Sequence, residues 1–183
     1  MSREKESKHI ILGICGGIAA YKMPDLIRLL RAECMDVTCV LSENGARFVT
    51  PLTVQTLSRN RVYEGMFDPS DWDIEHIALA DKADIVVVAP ATADTLARLA
   101  AGRADNLLSS VILATQAPIV VCPAMNEKMW VHPATQHNVA VLKKFGYRFI
   151  EPESGELACG VSGVGRLASL DIIVKTIKEI VSR

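Results

Sequence analysis

Short apolar segments alternate with longer amphipathic stretches along most of the chain. Strands are predicted by a buried apolar run at residues 9–14, an alternating pattern at 36–41 and runs rich in Val and Ile at 84–89 and 118–122, with a weaker candidate at 147–150. The runs rich in Val and Ile are typical of parallel strands that are covered on both faces. Helical periodicity between and after them predicts helices over residues 18–33, 92–101, 105–114, 135–145 and 171–181. The first half of the chain therefore begins as a strand-turn-helix unit, and the alternation continues to the last helix.

This alternation predicts the fold class. We expect a single α/β domain over residues 1–183, with a doubly wound, Rossmann-like or flavodoxin-like parallel sheet and helices on both faces. Two segments do not follow the alternation, residues 60–75 and 151–165, and long loops of this kind are usually functional or mobile. We expect residues 151–166 to form an active-site lid and residues 1–8 to form a disordered tail.

Composition and charge exclude several classes of protein. Half of the residues are hydrophobic and only 5% are aromatic, so the core is aliphatic. The formal charge of −1 and the scattered basic residues give no electrostatic footprint for nucleic-acid binding. No apolar stretch approaches the ~20 residues that span a bilayer, and the N-terminus lacks a signal peptide, so we expect a cytoplasmic protein. Five cysteines without a Cys-x-x-Cys pair predict neither a disulfide framework nor a metal site.

The turn after the first strand is rich in small residues. Gly13, Gly16 and Gly17 would let backbone N–H groups and a helix N-terminus approach a phosphate, which favours an anionic cofactor. The dinucleotide fingerprint is incomplete, although Glu43 after the second strand could act as its ribose-binding acid, so NAD remains an alternative. The glycines could equally serve tight packing of the helix on the strand.

Polar residues follow two later strands, where ligands of open α/β sheets bind. Thr92, Asp94 and Thr95 follow the third strand and could face this crevice or simply cap a helix. Asn126 follows the fourth strand, and its amide suits a pocket that holds a carboxylate.

A thiol and an imidazole are the remaining candidates for proton chemistry. Cys159 lies among loop-forming residues near Arg166, unlike the other four cysteines, and an exposed thiol there could transfer a proton. His76 follows the irregular 60–75 segment and could titrate near neutral pH. A structural role for His76 is equally compatible with the sequence.

Taken together, several segments resemble a known family in order and spacing: GGIAAYK at 16–22, HI at 76–77, PATADT at 90–95, PAMN at 123–126 and ACG at 158–160. The chain is similar to the homo-oligomeric flavin-containing cysteine decarboxylases along nearly its whole length. Within the family it most resembles the members that act in coenzyme A synthesis, because the PAMN and ACG segments occur together.

The resemblance implies FMN as the cofactor. The segments that match the flavin-binding residues of the family are Gly16, Gly17, Ile18, Ser42, Glu43, Asn44, Thr92, Ala93, Asp94, Thr95 and Ala124. His76, Asn126 and Cys159 fall on catalytic positions, and Asn126 and Met129 on substrate-binding positions. The resemblance also implies a homo-oligomer, a trimer or an assembly of trimers with sites between subunits.

Two departures from the family pattern affect local contacts. The usual Leu-Ala-Lys-Trp-Ala-Asp after the histidine reads Leu-Ala-Asp-Lys-Ala-Asp at residues 79–84, so Asp81 and Lys82 are unusual, and Val161 replaces an acidic residue. Bacterial members are often fused to the phosphopantothenoylcysteine synthetase that makes their substrate. These 183 residues contain no such second half, so we expect the chain to be either stand-alone, with a separate synthetase as a partner, or excised from such a fusion.

The implied substrate, 4'-phosphopantothenoylcysteine, is an N-acylated cysteine. Its amide nitrogen cannot form the Schiff base that pyridoxal phosphate needs, so another electron acceptor is required. Loss of hydride from the cysteine β-carbon would give a thioaldehyde, whose decarboxylation yields an enethiolate. Cys159 could protonate its α-carbon, and return of the hydride would restore the thiol, so the net redox change is zero. Asn126 would hold the carboxylate, and His76 would orient the substrate or assist deprotonation of its thiol. The alternatives are a peptidyl-cysteine decarboxylase and a non-catalytic flavin-binding regulatory subunit.

Overall fold

The computed structural model describes residues 7–66, 75–156 and 162–182. Its main sheet contains six parallel strands: β1 (His9–Ile14), β2 (Asp36–Leu41), β3 (Val62–Tyr63), β4 (Ile85–Ala91), β5 (Ile119–Pro123) and β6 (Arg148–Phe149). Their order across the sheet is β3-β2-β1-β4-β5-β6. This is the Rossmann order, in which the direction of winding reverses between β1 and β4. The predicted fold class is confirmed.

Helices cover both faces of this sheet. They are α1 (Met23–Ala32), α2 (Pro51–Ser58), α3 (Glu75–Lys82), α4 (Ala93–Ala100), α5 (Leu107–Ala114), α6 (Glu127–Trp130), α7 (Pro133–Lys144) and α8 (Leu170–Val181). A 3₁₀ helix at Ile18–Lys22 precedes α1. The predicted helix 18–33 thus changes geometry at Met23, where Pro24 occupies the first turn of α1 and its missing N–H costs no hydrogen bond.

The core consists of two apolar layers, one on each face of the sheet. One layer packs α1 and α8 onto alternate strand residues such as Ile10 and Leu12, and the other packs α4, α5 and α7 onto the opposite residues, such as Ile11. All six residues of β1 and all seven of β4 are buried. Strands covered on both faces explain the continuous apolar runs in the sequence.

The segment 60–75 contains regular structure that the prediction of a loop missed. Val62 and Tyr63 form β3 beside β2, and Glu75 begins α3. A two-residue edge strand carries too few positions to show a period of two. The helix α2 was also missed, although Thr50 is its N-cap and accepts a hydrogen bond from Thr53 N at 3.2 Å.

The segment 151–165 was predicted to be a loop, but its described part forms an antiparallel hairpin of β7 (Glu153–Glu156) and β8 (Ser162–Arg166). Three of the residues in these strands are glycines, which conceal a strand pattern because they carry no side chain. Gly165 has a φ of +155°, and a Cβ there would lie 2.1 Å from Met125 O. The hairpin therefore packs closely against the segment that follows β5.

His9 lies buried at the amino end of β1. Its Nδ1 is 2.7 Å from Asp36 Oδ2, while its Nε2 is buried without a hydrogen-bond partner among the described residues. Burial, followed by the nearby Lys82 charge, lowers the pKa of His9 despite the opposing effect of Asp36. The neutral imidazole is therefore the form that fits the folded protein.

Candidate active site

A deep cleft lies beyond the carboxyl ends of β1, β2, β4 and β5, at the point where the winding reverses. Its volume is about 1240 Å³, whereas pockets for one small molecule usually measure ~300–1,000 Å³. Among the described residues, its lining includes the turn after β1 with the 3₁₀ helix that follows it, and the segments after β2, β3 and β5. The starts of α4 and α5 and the end of β8 complete it. A cofactor and a substrate can therefore occupy it together.

The glycine turn forms one wall of the cleft, and its two half-buried glycines differ in the space around them. A Cβ at Gly16 would lie 2.3 Å from the Cβ of Asn44, so this position admits no side chain. A Cβ at Gly17 would meet only Thr92 Cγ2, at 3.8 Å. Gly16 thus fixes the contact between two loops, while the Gly17 backbone remains accessible from the cleft.

The segment after β2 forms the adjoining wall. Ser42 N donates to Ile14 O at 3.0 Å, and Ser42 Oγ accepts a hydrogen bond from Gly45 N at 3.0 Å. These bonds hold Ser42, Glu43 and Asn44 beside the glycine turn, and all three line the cleft. The wall therefore offers hydroxyl, carboxylate and amide groups.

The start of α4 forms the floor. Thr92 is the N-cap and accepts a hydrogen bond from Thr95 N at 3.2 Å, so the expected capping role and the expected position in the crevice both occur. Cys15 is also in the floor, where burial raises its pKa to about 11 despite hydrogen bonding to Thr95 and Thr92. A thiol with so high a pKa is not a nucleophile at neutral pH.

Asn126 lies on the opposite wall, as the N-cap of α6. Its Oδ1 accepts a hydrogen bond from Lys128 N at 2.9 Å, which fixes the orientation of the side-chain amide. The preceding residue is tied to the hairpin, because Met125 N donates to Gly165 O at 2.9 Å. Met129, one turn further along α6, is half exposed and also lines the cleft.

Charged side chains of the cleft were mostly not singled out from the sequence. Arg98 on α4 forms ion pairs with Asp94, at 3.3 Å, and with Asp105. Lys22, at the end of the 3₁₀ helix, and Arg166, at the end of β8, line the cleft as well. Scattered along the sequence, these residues form no pattern, and the fold brings them together.

Most of the site residues that were predicted from the sequence lie together in this cleft. All eleven expected flavin-binding residues line the cleft, as do Asn126 and Met129. His76 does not; it is half-buried in the first turn of α3, which packs against α5. Cys159 and part of the expected lid lie outside the described residues, so their roles stay predictions.

A family model described as Flavoprotein matches residues 1–182 of the sequence. The chain belongs to the Flavoprotein family. A probable phosphopantothenoylcysteine decarboxylase of Streptococcus mutans is 47% identical over 176 residues, which cover 94% of this chain and 98% of that protein. The bifunctional coenzyme A biosynthesis protein CoaBC of Haemophilus influenzae is 46% identical over 177 residues. The match covers 96% of this chain but only 44% of that protein, so the chain spans less than half of its length.

Solved structures of related proteins have the same fold. A cysteine-to-serine mutant of PPC decarboxylase, complexed with pantothenoylaminoethenethiol, superposes with a TM-score of 0.87 at 28% identity and covers 97% of this chain and 100% of that one. The FMN-dependent cysteine decarboxylase SpaF gives a TM-score of 0.85 at 28% identity, with 97% and 98% coverage. These matches confirm the family resemblance that the sequence motifs indicated.

Among the described residues, no helix is both long and apolar enough to cross a bilayer, and no group of three His, Cys, Asp or Glu residues is arranged to hold a metal ion.

Proposed function

We propose that this protein is an FMN-dependent decarboxylase that converts 4'-phosphopantothenoylcysteine to 4'-phosphopantetheine in coenzyme A synthesis. One observation carries the proposal: the residues that match the flavin-binding segments of the family, together with Asn126 and Met129, line a single cleft at the switch point of the sheet. The similarity to relatives with this named activity supports the choice of substrate.

The cleft fits a flavin phosphate ester. Gly17 leaves its backbone open, with no atom closer than 3.8 Å to a Cβ placed there, so a ligand can approach the main chain. Ser42, Asn44 and Thr92 add hydroxyl and amide groups that can bond phosphate and ring oxygens. When bound, FMN would accept the two electrons released by oxidation of the cysteine β-carbon and would return them as the product thiol forms.

Asn126 binds the substrate carboxylate in this proposal. Because the cap bond from Lys128 N occupies Oδ1, the side-chain NH₂ is the group suited to donate to a carboxylate. Met129 lies one turn away on the same wall and contributes apolar surface that excludes water from the carboxylate. Cys159 donates the proton to the α-carbon after CO₂ leaves.

The role proposed for His76 requires a second copy of the chain. Among the described residues that line the cleft of its own chain His76 is absent, so in this proposal it contacts substrate in the cleft of a neighbour. Such a contact fits the trimer, or assembly of trimers, implied by the family resemblance. We propose that His76 orients the substrate across a subunit interface.

The test combines spectroscopy with product analysis. The purified protein is expected to absorb in the visible as a flavoprotein, or to do so after addition of FMN, and mass spectrometry is expected to detect 4'-phosphopantetheine formed from 4'-phosphopantothenoylcysteine. A protein that stays colourless with added FMN contradicts the proposal.

The same assay separates the alternatives. Turnover of a peptide with a C-terminal cysteine, without turnover of 4'-phosphopantothenoylcysteine, would assign the chain to peptide modification. Flavin binding without turnover of either substrate would assign it a regulatory role. The cytoplasmic location stays a prediction.

A further inference from the structure

Three cationic side chains among the described residues line the cleft: Lys22, Arg98 and Arg166. They differ in how their charge is balanced. Arg98 is neutralised by Asp105 and Asp94, and the hydrogen bonds that it donates to these carboxylates raise its pKa. An ion-paired guanidinium of this kind supports the wall of the cleft and has little capacity left for an anionic ligand.

Lys22 and Arg166 are not balanced in this way. Within the described parts of the chain, neither side chain forms an ion pair with a carboxylate at 4.0 Å or less. Burial and the Arg166 charge lower the pKa of Lys22, and the Glu153 charge opposes them only in part. Glu153 Oε1 already accepts a hydrogen bond from Ser169 N at 2.8 Å. Two like charges that act on each other at the edge of one cleft are typical of an anion site.

The backbone places Arg166 on the substrate side of the cleft. Its neighbour Gly165 accepts the hydrogen bond from Met125 N, directly before Asn126. Its guanidinium lies over Gly155 of the facing strand, where a Cβ would be 3.3 Å from Nη1. The glycine turn and Ser42 offer backbone N–H groups and a hydroxyl to the expected flavin phosphate, and the charged side chain next to Ser42 is the carboxylate of Glu43.

We propose that Lys22 and Arg166 together bind the phosphate of the substrate, at the end of the molecule remote from the carboxylate on Asn126. A phosphate monoester carries close to two negative charges at neutral pH, which matches one ammonium and one guanidinium. The guanidinium offers paired N–H donors and the ammonium a mobile point charge. This inference rests on the proposed function, because it assigns one end of the proposed substrate to a subsite.

The experiment compares phosphorylated and dephosphorylated substrates. The variants are Lys22→Gln and Arg166→Gln, and the matched control is Lys175→Gln, which removes a charge from an exposed position of α8 outside the cleft. Each variant is expected to lose about 10- to 100-fold in kcat/KM with 4'-phosphopantothenoylcysteine, the usual effect of one lost charge-assisted hydrogen bond. With pantothenoylcysteine each is expected to change less than about 2-fold, and the control is expected to change neither value.

Calorimetry gives a second readout that does not need turnover. Binding of 4'-phosphopantetheine to the FMN-loaded protein is expected to weaken in both variants, and binding of pantetheine is expected to stay the same. Equal losses with both members of each pair would overturn the subsite.

A separate titration distinguishes the two possible phosphates. FMN and riboflavin affinities of the variants are expected to equal those of the unaltered protein. A selective loss of FMN affinity would assign the cations to the cofactor and overturn the proposal. If the unaltered protein turns over neither substrate but binds 4'-phosphopantetheine through Lys22 and Arg166, the proposed function fails while the phosphate site stands.

Discussion

Replacing Asn126 by aspartate tests the site with little disturbance of the fold. Asn126 is the N-cap of α6, and its Oδ1 accepts the hydrogen bond from Lys128 N at 2.9 Å. Asparagine and aspartate are about equally good at this position of a helix. Asn126→Asp therefore keeps the cap and the side-chain shape, and it exchanges only the NH₂ donor for a charged oxygen.

The expected effect follows from what the new oxygen would face. A substrate carboxylate held by the amide would lose one donor and meet a like charge about 4 Å away, which costs ~4 kcal/mol at an effective dielectric constant of ~20. Since ~1.4 kcal/mol corresponds to a factor of ten, kcat/KM should fall by roughly 10³-fold. The free energy of unfolding should change by less than ~0.5 kcal/mol, because the cap is retained.

The assay measures decarboxylation rate, flavin content and Tm on the same preparation. Thr50→Asp provides the control, since Thr50 caps α2 in the same way, is exposed and does not line the cleft. It adds the same charge and should leave kcat/KM unchanged. Full activity of Asn126→Asp with normal flavin content would show that this amide does not bind the carboxylate.

Three further predictions concern the cofactor wall, proton uptake and the expected lid. Gly16→Ala should destabilise the fold by about 1–3 kcal/mol and weaken FMN binding, because its Cβ has no room, whereas Gly17→Ala should fold normally; equal Tm values would refute this. The lowered pKa of His9 means that the unfolded chain binds the proton more readily, so the free energy of unfolding should decrease as pH falls below about 6.5, by up to ~1.4 kcal/mol per pH unit. His9→Gln should remove this slope in urea titrations, and a slope that persists would exclude His9 as its source. Cys159→Ser should bind FMN normally but stall after loss of CO₂, and normal formation of 4'-phosphopantetheine would exclude the thiol as proton donor.

Much of the fold could be predicted from the sequence because the central strands β1, β4 and β5 are buried on both faces. Burial of this kind requires continuous apolar runs, as in Ile85–Ala91, and such runs are visible in a sequence. The sequence did not predict β3 or the hairpin of β7 and β8. These strands are short or rich in glycine, so they show no alternation of hydrophobic and polar residues. Their structure depends on neighbouring strands rather than on local preference.

The residues of the site likewise fall into those that the sequence predicted and those that only the tertiary structure revealed. The sequence by itself determined the strand-end motifs, from the glycine turn to Asn126, because each motif is local and its position after a strand places it at one edge of the sheet. Only the tertiary structure decided which charges meet. Lys22 and Arg166 are far apart in the chain and come to one cleft because the hairpin packs on the segment after β5, whereas His76 lies outside that cleft because α3 packs against α5. Contacts between distant segments depend on how helices and hairpins pack, and that packing has no local signature in the sequence.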